Sequence, residues 1–181
     1  MKTIIGAAAL LAAYAQAQSG YATNSTNSSS PMVDLGYVKY RGSQNTTAGI
    51  NYFRAIPYAV NPTGPLRWRK PIPIESQNTF SAATVYDASS IGPACYQSLP
   101  QSLYKPYNDS FAYTPQGVSE DCLTVDVLVP SNPVSERLPV MVQIHGGGYT
   151  SGSAQSYPGD SMVNASDGGF CVCVVDGWML C

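Results

Sequence analysis

Charge is scarce in this sequence. Asp, Glu, Lys and Arg make up 11% of its residues, against roughly 25% in ordinary soluble domains. Nine basic and eleven acidic side chains leave a formal charge of -2. That balance gives no footing for a nucleic-acid or polybasic membrane partner. Histidine is reduced to a single residue, His145, and neither a CxxC nor an HExxH spacing occurs. Metal chemistry therefore has no visible ligand set, and no cofactor is expected. A long apolar run is also missing. The apolar stretch Ile4–Ala13 is too short to span a bilayer, and no stop-transfer pattern follows it.

What is present points outward. Met1-Lys2 gives a positive start, Ile4–Ala13 an h-region and Ala15-Gln16-Ala17 a small-residue cleavage site. Residues 1–17 are expected to be a secretory signal peptide. Five N-x-S/T sequons, at Asn24, Asn27, Asn45, Asn108 and Asn164, fit an extracellular glycoprotein. The five cysteines then lie in a disulfide-permissive compartment, and an odd number leaves at least one without an internal partner. Residues 18–32 are small and polar, with too little apolar surface to offset the entropy of ordering them, and read as a flexible, glycosylated leader.

From Val33 the pattern changes. Val33–Tyr40 and Gly49–Tyr58 read as two strands joined by a turn around Arg41–Thr47. Asn61–Ile74 is broken by proline and glycine and takes an irregular surface course. Leu123–Val129 is a second apolar run, and Ser153–Phe170 is polar with at most one helical turn. The chain centres on Leu138–Gly152, LPVMVQIHGGGYTSG. There an apolar run, Val140–Ile144, reads as a buried strand and stops at His145 and three glycines. Three glycines leave backbone N–H groups unobstructed, as an oxyanion hole requires.

Four separated signals, in order, resemble the type-B carboxylesterase/lipase family, which includes cholinesterases and secreted fungal esterases. They are Phe53–Ala59 (FRAIPYA), with Ala55 where glycine is usual; Gly64–Trp68 (GPLRW); Ser119–Leu123 (SEDCL), followed by Asp126 where asparagine is commoner; and His145–Tyr149 (HGGGY). The resemblance implies an α/β class, the N-terminal part of an α/β-hydrolase fold with a mixed, mostly parallel sheet spanning residues 33–170. It implies a serine mechanism in which Gly147 and Gly148 donate backbone N–H groups to the oxyanion. It also implies a Cys95–Cys122 disulfide, a structural ion pair between Arg67 and Glu120, and a loop whose Leu99, Leu103, Tyr104, Tyr107, Phe111 and Tyr113 could face acyl chains or simply pack a surface loop. The partner it implies is a small-molecule or lipid ester. His145 ends a strand in this pattern and is assigned to the scaffold, not to base catalysis.

The same pattern calls for a G-x-S-x-G elbow, and no serine here has glycine at both i−2 and i+2; Ser151 and Ser153 miss that spacing. Nucleophile, base and acid are all expected outside these residues. The last stretch, CVCVVDGWMLC, is read as a tail over residues 171–181 that departs from the family pattern. The expectation is thus a fragment of a secreted ester hydrolase, truncated before its nucleophile elbow. The alternatives are a non-catalytic cholinesterase-like binding or adhesion domain, a glycosylated surface protein, and an inactive product of a truncated gene model.

Overall fold

The computed structural model describes residues 30–77, 80–97, 117–148 and 150–177. Among these residues the strands are β1 (Met32–Asp34), β2 (Lys39–Arg41), β3 (Ser43–Asn45), β4 (Ile50–Pro57), β5 (Val85–Asp87), β6 (Thr124–Pro130), β7 (Val140–Ile144) and β8 (Cys171–Val175), with one short α-helix, α1 (Asp160–Ala165), and three 3-10 turns. The stretch read as one strand, Val33–Tyr40, is two, because Gly36 at φ +84° turns the chain back between β1 and β2. The Arg41–Thr47 turn contains β3, which pairs with the start of β4.

β1, β2 and β5 form a small sheet in the order β1-β2-β5, and the large sheet runs β3-β4-β6-β8-β7. Its first three pairings are antiparallel, and only β8 with β7 is parallel. The described part of the sheet is therefore mixed but mostly antiparallel. Period-two alternation divides the core across it. Val127, Val129, Cys171 and Cys173 pack on one face with Val38, Tyr40 and Phe53. Leu128, Val172 and Val174 pack on the other with Ile50, Tyr52 and Val163 of α1.

Two expectations change here. Cys171–Val175, set apart by its sequence as the start of a tail, is a central strand with β6 on one side and β7 on the other. Cys171, Val172, Cys173 and Val174 are all buried. Val140–Ile144, expected to be buried, is an edge strand. Among the described residues β8 is its one neighbouring strand. Val140 still packs against the core, but Met141, Val142 and Ile144 are 42%, 47% and 62% exposed.

Candidate active-site loop

β7 delivers the chain to His145 and the glycines. The strand ends there because Gly147 and Gly148 take φ of +144° and +61°, values that a strand cannot continue through. The loop then closes on itself. The Gly147 carbonyl accepts from the N–H groups of Thr150 and Ser151, both at 3.1 Å, and from the Thr150 hydroxyl at 3.2 Å. A Cβ on Gly147 would sit 1.5 Å from the Ser151 carbonyl oxygen, whereas one on Gly148 would meet nothing within 4 Å. Both glycines are exposed. Among the described residues, neither their N–H groups nor that of Gly146 donates to a protein acceptor.

His145 is 3% exposed and lies under the loop. Its Nδ1 is 2.9 Å from the Gly146 carbonyl oxygen, and its Nε2 is 3.6 Å from Oδ1 of Asp176, just past the end of β8. Burial pushes the Asp176 carboxyl above the usual aspartate range, against the pull of His145 and the N–H groups of Ala154 and Gly177. Among the described residues the buried imidazole lies between Asp176 and the Gly152 position, at the base of the glycine loop.

The disulfide joins Cys95 to Cys122, with Cα atoms 5.2 Å apart. The two cysteines are 27 residues apart in sequence, and closing a loop of that length restricts the unfolded chain by about 3.6 kcal/mol. The residues that could face acyl chains, Leu99 to Tyr113, lie outside the described residues, as do Asn24, Asn27 and Asn108. Asn45 and Asn164 are described, and both are exposed. The Arg67 guanidinium meets the Glu120 carboxylate at an open surface pocket lined also by Thr63, Tyr96 and Ser119; Gly147 and Gly148 do not line it. Cys171 and Cys173 are free, buried thiols, and burial pushes Cys173 up to about 12. Among the described residues no cluster of His, Cys, Asp or Glu is placed to hold a metal.

Three contributors have no signal in the sequence. Asp176 meets His145 only because β8 lies parallel to β7. Gln97 and Gln155 bond across the loop to backbone groups 55 and 63 residues away, and no motif marks either.

Comparison with known proteins agrees with this geometry. A model of the carboxylesterase family matches residues 29–176, so the match runs through β8 to Asp176. Carboxylesterase 5A of Felis catus is 36% identical over 138 residues, covering 74% of this chain and 24% of the relative. A medium-chain fatty acyl-CoA hydrolase precursor of Anas platyrhynchos is 37% identical over 139 residues, covering 73% and 24%. The solved structure of Aspergillus niger EstA superposes with a TM-score of 0.63 at 29% identity, over 83% of this chain and 26% of that one. The chain thus spans about a quarter of the length of the relatives it matches. With a family model matched from residue 29 to residue 176 and the strand–glycine-loop geometry in place, the chain belongs to the carboxylesterase family and carries part of its α/β-hydrolase fold.

Proposed function

We propose that this chain is the oxyanion-hole portion of a secreted carboxylic-ester hydrolase, with Gly147 and Gly148 as the donors. One observation carries the reading. Among the described residues, Gly147 and Gly148 are exposed and their N–H groups donate to no protein acceptor, while the Gly147 carbonyl is bonded within the loop. Donors fixed in place before the substrate arrives need no reorganisation as the carbonyl oxygen becomes an anion, and this is why they stabilise the transition state more than water does. A binding module has less need of bare, pre-set amides. No serine here has glycine at both i−2 and i+2, so on this reading these residues supply oxyanion donors and not the nucleophile. The exposed sequons at Asn45 and Asn164 and the N-terminal h-region support secretion.

The test is a chimera in which residues 30–176 replace the matched quarter of Felis catus carboxylesterase 5A. Assayed on p-nitrophenyl esters of graded chain length, it should hydrolyse them, and its preferred length should differ from that of the parent if this portion contributes to the pocket. A folded chimera with no turnover on any ester would favour the non-catalytic binding domain.

A further inference from the structure

Two glutamines cross-link the segment Gly92–Gln97 to the far limb of the glycine loop. Gln97 Nε2 donates to the Gly152 carbonyl at 2.8 Å, and its Oε1 accepts from the Gly152 N–H at 3.1 Å. Gln155 Nε2 donates in the other direction, to the Gly92 carbonyl at 2.9 Å. The Gln97 carboxamide, uncharged and carrying both donor and acceptor, thus serves both backbone groups of one residue, as a neighbouring strand would.

Gly152 is a sensitive place to hold. Its φ is +110°, and a Cβ there would lie 2.2 Å from the Gly146 carbonyl oxygen and 2.6 Å from His145 Nδ1. One residue earlier, Ser151 fills the space against Gly147 and donates its N–H to the Gly147 carbonyl. Displacing Gly152 therefore displaces Gly147. At its other end the clamp has a firm base. Gln97 follows Cys95 by two residues, and Cys95 is buried and bonded to Cys122. The adjacent Ala94 is bridged to Val118, its N–H donating to Gly117 and its carbonyl accepting from Ser119.

We propose that Gln97 is a positioning residue. It ties Gly152, and through Ser151 the amides of Gly147 and Gly148, to the covalently fixed Cys95–Cys122 base. It touches no substrate. Its catalytic consequence rests on the oxyanion reading above, but the clamp does not. Gln97→Glu keeps an acceptor for the Gly152 N–H and loses the donor to its carbonyl, while Gln97→Ala loses both.

Amide hydrogen exchange of the 181-residue chain, read at Gly152 with Val127 and Leu128 of β6 as internal reference, tests the clamp. Gln97→Ala should speed Gly152 exchange at least tenfold with the β6 amides unchanged, and Gln97→Glu should fall between. Reducing the disulfide should speed Gly152 exchange in the unsubstituted chain and add less than twofold to Gln97→Ala. Unchanged Gly152 exchange, or an equal rise throughout β6, overturns the clamp. The same exchange measurement on the chimera decides the matter if a short-chain variant does not fold. In that chimera Gln97→Ala should lower kcat at least tenfold with KM within twofold. Faster exchange with unchanged kcat overturns the positioning role. A chimera inactive before any substitution counts instead against the oxyanion reading, and the exchange data stand on their own.

Discussion

Ala55 and the loop glycines show how much one residue's backbone can decide. β4 and β6 fall out of simple register between Phe53 and Ile56, so that Arg54 and Ala55 together face Asp126. Two residues opposite one is a β-bulge, and here it forces Ala55 to φ +54°. That explains why glycine is usual at this position in the family. Asp126 holds the bulge, accepting from the Ala55 N–H at 2.9 Å and from Arg54 Nη1 at 3.0 Å. In the glycine loop, the sequence treats Gly147 and Gly148 as equals and the structure separates them. A methyl on Gly147 cannot fit against Ser151, whereas one on Gly148 has open space and faces only the strain of φ +61°, of order 1 kcal/mol. In the chimera, Gly147→Ala should distort the loop and cost kcat about 10²–10³-fold, the loss typical of one oxyanion donor. Gly148→Ala should keep most of the turnover, because its N–H survives. Steady-state kinetics of the two variants, with thermal melts alongside, check this. Equal kcat for Gly147→Ala and the unsubstituted chimera would remove Gly147 from the site.

At the scale of elements, the long strands were legible and the short ones were not. β4, β6 and β7 each carry enough apolar or β-branched residues to register as a run. β1, β2, β3 and β5 have three residues each, too few for periodicity to show, and are created by their neighbours. β8 is legible in its alternation, since Cys171 and Cys173 face one side and Val172 and Val174 the other. The HGGG loop could be read from composition alone, but its supports could not, because Gln97 and Asp176 approach it only through the fold. β7 shows the converse limit. A continuous apolar run is the mark of a parallel strand covered on both faces, yet composition cannot say whether the cover is there. Among the described residues it covers little beyond Val140, and the strand presents Met141, Val142 and Ile144 along an unpaired edge, a template for intermolecular pairing. The 181-residue chain should therefore associate through β7. Val142→Lys, at a position 47% exposed, should raise the soluble fraction severalfold and shift the chain towards monomer in sedimentation, with little change in melting temperature. Unchanged aggregation would move the sticky surface elsewhere.

On the scale of the whole molecule, the chain stabilises its sheet with apolar layers on both faces but leaves two carboxylates inside it. Asp126 and Asp176 are 7% and 4% exposed. Burial raises the pKa of both, against the Ala55 N–H and Arg54 for Asp126, and against His145 and backbone N–H groups for Asp176, whose ionisation Asp126 further opposes. A carboxyl whose folded pKa lies above its unfolded value of about 3.9 binds its proton more tightly in the native state. Its stabilising contribution is complete below the unfolded value and is lost as pH rises through the folded one. The surface carboxylates Asp34 and Asp87 have the opposite sign, lowered chiefly by hydrogen bonds from Gly36 and Ser89 respectively, and act only as the pH falls below about 4. Asp176→Asn keeps the side chain's shape and its acceptor for the Gly177 N–H while removing the buried charge. Relative to the unsubstituted chain, it should therefore gain stability progressively as pH is raised from about 4, with little difference at or below that value. Urea melts of both proteins between about pH 4 and 8, in the Val142→Lys background to limit association, measure the difference directly. A gap independent of pH would assign Asp176 to hydrogen bonding alone. A gap in favour of aspartate that widens with pH would mean that attraction to His145 outweighs the cost of burial, reversing the sign assigned to this pair.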